Sequence, residues 1–526
     1  MKICVSDQLE ERGIEILRSK NYDVDYRPGI SYEELKSSIW KYDALVVRSS
    51  TRVDGELITL GKNLKVIGRA GTGVDNIDVE TATRRGIVVM NTPGGNTVSA
   101  AEHTVSMMLS LARNIPQAHR SLTAGEWDRS RFMGLEVFEK TIGIIGLGKI
   151  GREVAQRCNG LGMKVIGYDP VMQSDAAFKL GIELMPLEEI YRRSDFISVH
   201  TPLTNETRGL LNDQTLAVCK EGVRIINCAR GGIVDEQALL HALNSGHVAG
   251  AALDVFEAEP PGNNPLLLHE RVVVTPHLGA STEEAQEKVA VQIARQVADA
   301  LEGRAFAGVV NVSVRQLEVQ EHVKPYLLLA EKLGSLAAQS SPGKLKGVTV
   351  SAEGELVSSS VDVLKSAVLK GILSHLLPDY VNIVNAPILA REMGLAVREQ
   401  KEIIGEDFLN LLAIRYETER EMREVAGTVF GTSSIRLVKM DGFRIEAKAE
   451  GHLLIYINID KPGMLAQVGS VLAKHSVNIA GVSLGRMAIG TTALTIMNID
   501  SGIPPIAMTE LLRIPGVSNV RLVDLG

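Results

Sequence analysis

The sequence predicts an α/β protein: two Rossmann-like, doubly wound parallel-sheet domains, followed by an α+β domain and a ferredoxin-like βαββαβ domain. Short β-branched strands alternate with helical spacing over residues 1–96 and again from residue 141, a pattern typical of parallel sheets covered by helices. The second series opens with a Gly-x-Gly-x-x-Gly turn between a strand and a helix. Residues 452–526 change to the order strand, helix, strand, strand, helix, strand, which is the ferredoxin-like unit.

The composition is typical of a multidomain globular protein. The chain has 526 residues, of which 45% are hydrophobic and 23% charged, and a formal net charge of −7. Because a single core rarely grows beyond about 250 residues, we expect three or four domains. The four cysteines lack metal-ligand spacing, and no long basic stretch is present, which argues against metal and nucleic-acid binding. No apolar run approaches about 18 residues, so we expect a cytoplasmic protein that does not enter a membrane.

The first alternating series supplies four strands and three helices. The strands are predicted in KICVSD, DALVVRSS, LKVIGRAG and GIVVMNTPG, and the helices between them in EERGIEILRSK, YEELKSSIWKY and DVETATRRG. Residues 97–120 predict one long helix that bridges the first unit to the second.

The second series predicts a sheet whose strands end at polar residues. The strand ends are predicted near Gly146, Asp169, Thr201, Arg230, Asp254 and His277. A helix over residues 281–304 closes the series, and we expect it to run back and pack on the first domain. Two lobes arranged in this way place a cofactor on one wall of a cleft and a substrate on the other.

Beyond residue 312 the pattern loosens before the final unit. Long helices are predicted near residues 320–340 and 359–376, and a hairpin in SIRLVKMDGFRIEAKAEG. Its Asp441-Gly442 pair is the favoured two-residue turn.

The glycine turn predicts a dinucleotide site. Gly146 permits the tight turn, Gly148 lets the backbone approach a pyrophosphate, and Gly151 allows close packing of helix on strand. Asp169 ends the next strand, where a carboxylate would hold the ribose hydroxyls and repel a 2′-phosphate. We therefore expect NAD rather than NADP, the alternative being a purely structural turn.

Arginines at strand ends predict an anionic substrate. Arg230 follows a buried strand, a position that suits bidentate recognition of a carboxylate, although an arginine that only pairs with a domain edge is the alternative. Arg48 and Arg69 also follow strands, and Arg129 and Arg131 lie in a later loop. Several such cations suggest a substrate with more than one negative charge. Cys228 has no base at useful spacing, so we expect it to line the cofactor rather than act as a nucleophile.

Two histidines, His200 and His277, share the strand-end setting, so position alone does not choose between them. Glu259 lies in a loop that leaves the strand before that of His277. A carboxylate beside an imidazole fixes its tautomer and makes it a proton-transfer group near neutral pH. This favours His277 over a purely structural histidine.

Five long motifs, IGRAGTGVDNID, GLGKIG, NCARGGIVDE, ALDVFEAEP and TPHLGAST, resemble the D-2-hydroxyacid dehydrogenase family. The resemblance covers residues 1 to about 310. The C-terminal βαββαβ unit resembles an ACT domain, a regulatory module of amino-acid metabolism. The layout is similar to the long bacterial form of this family. That form implies four domains: a discontinuous substrate-binding domain (1–96 with 282–311), an NAD-binding Rossmann domain (97–281), an intervening regulatory domain (312–450) and an ACT domain (451–526).

The resemblance also implies an activity and its residues. Members with this layout oxidise 3-phospho-D-glycerate to 3-phosphohydroxypyruvate with NAD, at the start of the phosphorylated pathway of L-serine biosynthesis. The catalytic Arg, Glu and His of the family fall on Arg230, Glu259 and His277. The implied NAD contacts are Thr72, Gly146, Gly148, Lys149, Ile150, Gly151, Asp169, Thr201, Cys228, Ala229, Arg230, Asp254 and the run from His277 through Gly279 to Ala280. The implied substrate contacts are Arg48, Ser49, Arg69, Gly71, Asn96 and Arg129.

The ACT resemblance implies feedback inhibition by L-serine at Asn458, Asp460 and Asn478, with a domain that only holds the oligomer together as the alternative. The family further implies a homotetramer that dimerises through the nucleotide domain. Two other functions stay open from the residues: a glyoxylate or hydroxypyruvate reductase, and a non-enzymatic NAD-sensing binding protein on the same fold.

Overall fold

A computed structural model of the chain describes residues 1–302, 307–311, 321–377, 380–402 and 408–526. The described strands form four sheets, of five, seven, six and four strands. The first two sheets are parallel throughout, the third is mixed and the fourth is antiparallel, which confirms the predicted fold class. The predicted boundary at residue 312 lies outside the described residues. Within the described ranges no helix is long and apolar enough to cross a membrane.

The first sheet has the order β2-β1-β3-β4-β5. Its strands are β1 (Lys2–Val5), β2 (Asp23–Tyr26), β3 (Ala44–Val47), β4 (Val66–Arg69) and β5 (Val88–Met90), with helices α1 (Glu11–Ser19), α2 (Tyr32–Ser38), α3 (Gly55–Leu60) and α4 (Val79–Arg84). Two elements were not predicted. β2 is a half-exposed edge strand with the sequence DVDY, which has little apolar alternation, and α3 has only six residues.

The prediction of one helix over residues 97–120 is wrong. The segment forms α5 (Thr97–Ala112) and α6 (Ile115–Thr123). Asn114 between them adopts a left-handed conformation with φ 51°, which no α-helix continues through. Pro116 then lies in the first turn of α6, where its missing N–H costs nothing.

The second sheet has the order β12-β11-β10-β9-β6-β7-β8. Its strands are β6 (Thr141–Ile145), β7 (Lys164–Tyr168), β8 (Glu183–Leu184), β9 (Phe196–Val199), β10 (Val223–Asn227), β11 (Val248–Leu253) and β12 (Val272–Val274), with helices α7 (Lys149–Gly160), α8 (Ser174–Lys179), α9 (Leu187–Arg193), α10 (Asp213–Ala217) and α11 (Glu236–Asn244). The strand order reverses between β6 and β9, because β7 pairs on one side of β6 and β9 on the other. Ligands bind open α/β sheets at the carboxyl ends of the strands at such a switch point.

Helix α12 (Glu283–Leu301) returns from the second sheet to the first. Its buried face, which includes Ile293 and Val297, shares a core with Ile3 and Val46. Gly68 of β4 leaves room for this contact, since a Cβ there would lie 2.6 Å from Val297.

The third sheet has the order β14-β13-β15-β16-β17-β18. Its strands are β13 (Leu345–Glu353), β14 (Ala396–Glu402), β15 (Leu411–Thr418), β16 (Met422–Phe430), β17 (Ser434–Met440) and β18 (Phe443–Lys448), with helices α13 (Lys324–Ser340), α14 (Glu355–Ser359), α15 (Val361–Leu373) and α16 (Ala386–Glu392). The predicted hairpin turn is confirmed. Met440 pairs with Phe443, and both turn residues, Asp441 and Gly442, have positive φ, as a type I′ turn requires.

The fourth sheet has the order β20-β21-β19-β22 and confirms the ferredoxin-like unit. Its elements follow the predicted order: β19 (His452–Ile459), α17 (Met464–Lys474), β20 (Ile479–Arg486), β21 (Thr492–Ile499), α18 (Pro505–Leu512) and β22 (Val517–Asp524).

The segment before and within α16 contacts the first sheet. Asn382 donates its amide to the Gly86 carbonyl at 2.7 Å, and Val384 is buried in the core of that sheet. Arg84 at the end of α4 pairs with Glu392 at 2.8 Å. The α16 segment therefore contacts the end of α4, the helix that follows the loop after β4.

Candidate active site

The glycine turn after β6 has three distinct roles. Gly146 has φ 95°, a conformation that a side chain would strain, and a Cβ there would lie 2.7 Å from the His200 carbonyl. A Cβ on Gly151 would lie 2.0 Å from the Gly146 carbonyl, whereas nothing lies within 4 Å of one on Gly148. The turn thus packs tightly on the sheet and is open where α7 begins. A pyrophosphate fits this space beside the free N–H groups of the helix.

Asp169 is tied to the same turn. Its Oδ2 accepts the backbone N–H of Leu147 at 2.8 Å, and its Oδ1 accepts those of Val171 and Met172 at 2.9 and 3.0 Å. Although burial opposes ionisation, these N–H groups hold the pKa of Asp169 below its usual range. The side chain therefore stays a carboxylate beside the glycine turn, where ribose hydroxyls could donate to it.

The remaining wall of the crevice also fits a dinucleotide. Thr201, just after β9, has a buried hydroxyl without a hydrogen-bond partner among the described residues, which is a donor or acceptor left for a ligand. Lys149 at the start of α7 donates to the carbonyl of Pro93, which follows β5 of the first sheet, at 3.4 Å. Burial raises the pKa of Cys228 to about 12, so its thiol is not a nucleophile at neutral pH. Ile150 and Ala229 are half-buried.

His277 and Glu259 are brought together by two neighbouring strand ends. His277 Nδ1 lies 2.8 Å from Glu259 Oε2, and both side chains are about 40% exposed, at 43% and 39%. Burial works against the charge of Glu259, but the hydrogen bond and charge of His277 lower its pKa. The geometry fixes the proton on Nδ1 and leaves Nε2 to face a substrate.

His200 differs from His277 in each of these respects. Burial lowers its pKa to about 4, and its Nε2 is bonded to the hydroxyl of Ser198 at 2.9 Å. An imidazole that stays neutral and is already engaged is a poor general base. His200 is therefore a weaker candidate than His277, which Glu259 already favours in the sequence.

Asp254, at the end of β11, organises the loop that carries His277. Its side chain is fully buried and accepts the N–H groups of Leu278 at 2.7 Å and Gly279 at 2.9 Å. The hydroxyl of Thr275 donates to the carboxylate at 2.6 Å, and the backbone carbonyl of Asp254 accepts the N–H of His277 at 2.9 Å. His277 itself has φ 55°, a left-handed conformation that these bonds support.

His103 on α5 is a partner of Asp254 that the sequence did not predict. Its Nε2 lies 3.1 Å from Asp254 Oδ1. Burial raises the pKa of Asp254, but the hydrogen bonds from His103, Thr275 and Leu278 lower it by more. The pKa therefore lies below its usual range. An isolated histidine on a helix face gave no signal, because its partner lies about 150 residues away in the chain.

Arg230 follows β10, in the same sheet as the strands before Glu259 and His277, and its side chain reaches the first domain. Its Nε donates to Asp75 Oδ2 at 3.1 Å and its Nη1 to the Ala229 carbonyl at 2.6 Å. Asp75 belongs to the loop after β4 of the first sheet and was not predicted. Arg69 ends that strand, and its Nη1 donates to the Gly73 carbonyl at 2.5 Å.

The other predicted substrate residues fall into two groups. Arg48 follows β3, and its N–H donates to Asp7 at 2.5 Å. Ser49 beside it is exposed. Gly71 adjoins Arg69, and Asn96 accepts the hydroxyl of Thr72 at 2.7 Å. Arg129 is different: it lies on an exposed segment after α6, and no contact within the described ranges connects it to these residues.

The three residues predicted to bind L-serine do not converge in one chain. Asn458 is buried and bonded to Thr495 at 3.0 Å. Asp460 accepts the N–H of Gly490 and faces Arg486, at 3.1 and 3.4 Å. Asn478 precedes β20 and bonds Asp500 at 2.7 Å.

Sheet register explains the separation. Ile479 and His452 both pair with Ile499, so Asn478 lies at the end of the sheet where β19 begins. Asp460 lies where β19 ends. At about 3.3 Å per residue the two positions are roughly 25 Å apart.

Three family models match successive parts of the chain. They are the D-isomer specific 2-hydroxyacid dehydrogenase, NAD binding domain over residues 105–279, the D-3-phosphoglycerate dehydrogenase intervening domain over 322–441, and the ACT domain over 452–516.

Relatives of full length are also similar. The chain is 41% identical over 528 residues to the D-3-phosphoglycerate dehydrogenase of Archaeoglobus fulgidus, with 100% of both chains covered. It is 43% identical over 514 residues to that of Rattus norvegicus, with 96% of each covered. Among solved structures, the D-lactate dehydrogenase from Aquifex aeolicus complexed with NAD and lactic acid shares 29% identity at a TM-score of 0.52, over 58% of this chain and 96% of that one.

Proposed function

The chain belongs to the D-3-phosphoglycerate dehydrogenase family, and we propose that it oxidises 3-phospho-D-glycerate to 3-phosphohydroxypyruvate with NAD. The reaction is the first step of the phosphorylated pathway of L-serine biosynthesis. The observation that carries the proposal is that Arg230 and the paired Glu259 and His277 follow three neighbouring strands of the sheet that also carries the glycine turn. Two further arginines, Arg48 and Arg69, lie on the opposite lobe.

His277 acts as the general base. Its Nε2 takes the proton of the C2 hydroxyl, and Glu259 holds the Nδ1 proton and stabilises the imidazolium that results. NAD supplies the hydride acceptor when bound at the glycine turn, with Asp169 beside its ribose.

Arg230 and the arginines of the first lobe bind the substrate. Arg230 holds the carboxylate and polarises the C2 oxygen. Arg48 and Arg69 bind the phosphate, with Ser49, Gly71 and Asn96 around it. Because the substrate carries a phosphate as well as a carboxylate, its binding requires more than one arginine. Arg129 also serves the phosphate in this proposal, as the family resemblance implies, although no contact within the described ranges connects it to Arg48 or Arg69.

Substrate binding, NAD binding and regulation are assigned to separate domains in this proposal. Residues 1–96 with 282–311 form the substrate-binding domain, and α12 packing on the first sheet supports this. Residues 97–281 form the NAD-binding domain, 312–450 the intervening regulatory domain and 451–526 the ACT domain.

L-Serine inhibits the enzyme at the ACT domain. Asp460 and Asn478 lie at opposite ends of one sheet, so a site that uses both requires two chains in antiparallel contact. The free N–H groups at the start of α17, which has no side-chain cap, suit the serine carboxylate. The contact of Asn382 and Glu392 with the first domain is a route from the regulatory half to the cleft.

The enzyme assembles as a homotetramer in the cytoplasm. Apolar side chains on and after α6 are exposed, with Trp127 at 78% and Met133 at 83%. A patch of this kind on the nucleotide domain supports dimerisation there. The four cysteines are unpaired, which agrees with a reducing compartment.

Initial rates separate the candidate functions. We expect NADH formation with 3-phosphoglycerate, at a kcat/KM well above that with D-glycerate. Activity confined to D-glycerate or to glyoxylate with NADH would identify a reductase of unphosphorylated acids, and no activity with any of them would favour the NAD-sensing protein.

A further inference from the structure

We infer that Asp75 and Gly73 are positioning residues for Arg230: together they hold its guanidinium across the cleft so that Nη2 is left for the substrate. The inference rests on the proposed function for the identity of the substrate, but the position of the guanidinium can be measured without it.

Arg230 is anchored from both lobes. Its Nε donates to Asp75 Oδ2 at 3.1 Å, and its Nη1 donates to its neighbour's carbonyl, Ala229, at 2.6 Å. Nη2 makes no hydrogen bond to any of the described residues. The side chain is therefore fixed at two nitrogens and open at the third, as a group that must meet a ligand in one orientation requires.

Asp75 also offsets the repulsion between two arginines. Burial and then the positive charge of Arg230 lower the pKa of Arg69 to about 10, and the charge of Asp75 opposes this. The Nε of Arg69 is buried without a partner in the described structure, so no acceptor at that atom offsets the positive charge of Arg69. Without Asp75, Arg69 would push Arg230 away from the loop.

Gly73 provides the space for this arrangement. A Cβ at residue 73 would lie 2.2 Å from Arg230 Nη2 and 2.6 Å from Asp75 Oδ2. The φ of Gly73 is not in the left-handed region, so alanine would not strain the backbone. Its methyl group would instead displace the guanidinium, and this makes Gly73→Ala a second way to move Arg230 without changing any charge.

Displacement of Arg230 should affect turnover more than binding. Arg48 and Arg69 would still bind the phosphate in the ground state, while the charge that develops on the C2 oxygen would lose its donor. A residue that only ties the two lobes together would not produce this split between kcat and KM.

The experiment compares Asp75→Ala, Asp75→Asn and Gly73→Ala, each alone and with Arg230→Ala. We expect kcat to fall about 10–100-fold for Asp75→Ala and Gly73→Ala, with a smaller rise in KM and an unchanged NAD Kd. Asp75→Asn should retain part of the activity, since its amide oxygen still accepts from Nε. In the Arg230→Ala background none of these changes should lower kcat further. Full additivity there, or an unchanged kcat for Asp75→Ala, would overturn the inference.

Asp23→Ala is the matched control, because Asp23 pairs with Lys2 at 3.3 Å on the edge strand of the same sheet; its kcat should equal that of the wild type. If the wild type oxidises a different 2-hydroxy acid, the variants are compared on that acid. Crystal structures of Asp75→Ala and Asp75→Asn without substrate give the independent readout. A guanidinium that has left the Ala229 carbonyl in the first and kept it in the second supports the inference, and one unmoved in both refutes it.

Discussion

Nδ1 of His277 lies 2.8 Å from Oε2 of Glu259, although the two residues leave different strands. Glu259 follows β11 and His277 follows β12, and these strands are neighbours in the sheet. The pair therefore depends on strand order as well as on the two side chains.

Glu259→Gln should lower kcat about 10–100-fold and His277→Ala about 10²–10⁴-fold. The amide still accepts from Nδ1 but does not stabilise the imidazolium. Steady-state rates of 3-phosphoglycerate oxidation measure both, with NAD Kd as a control for folding. Glu257→Gln, two residues earlier in the same loop, should keep wild-type kcat. Equal losses for Glu257→Gln and Glu259→Gln would show that the loop rather than the pair matters.

Asp254→Asn should destabilise the protein by about 2–4 kcal/mol at pH 7, since the amide brings a donor against N–H groups that need an acceptor. The folded pKa of Asp254 is lowered. Its contribution to stability is therefore full above the ordinary carboxyl pKa and is lost as pH falls through the lowered folded value. Denaturant unfolding at pH 7 and pH 3 should show the variant and wild type converging at the lower pH. A gap that is equal at both pH values would mean that Asp254 is not ionised in the folded state.

Asp169→Ser combined with Val171→Arg should move the cofactor preference toward NADP by at least about tenfold. The change removes the carboxylate that repels a 2′-phosphate, and Val171 is 86% exposed, so an arginine fits there. The ratio of kcat/KM for NADP and NAD is the measurement. Val171→Arg alone is the control and should keep NAD preference. A wild type that already uses both cofactors equally would contradict the placement of Asp169 at the ribose.

Asp460→Ala and Asn478→Ala should each weaken inhibition by L-serine without lowering turnover. If the site spans two chains, co-expressed hybrids of the two variants contain one intact site and one doubly altered site. We expect such hybrids to recover part of the inhibition, as measured by rate against serine concentration. Hybrids that stay as insensitive as the single variants would place the site within one chain or elsewhere.

Alternation of strands and helices predicts this fold well because parallel strands bring their carboxyl ends to one edge. That is why Asp169, Thr201, Arg230 and His277 were expected together from the sequence. Local patterns failed where a single residue changed the outcome, as at Asn114, whose left-handed φ divides one predicted helix into two. Asp75 and His103 were missed for another reason: each contacts a residue more than 100 positions away. Packing of the two lobes makes Asp75 a neighbour of Arg230, and packing of α5 on the second sheet makes His103 a neighbour of Asp254.

Product formation tests the central claim most directly. Wild-type enzyme is incubated with NAD and 3-phosphoglycerate, with hydrazine to trap the keto product, and the phosphorus-31 spectrum is recorded with the NADH absorbance. We expect trapped 3-phosphohydroxypyruvate and NADH in equal amounts, and neither above background with His277→Ala over the same time. NADH without the phosphorylated keto acid, or no product from the wild type at all, would contradict the proposed reaction.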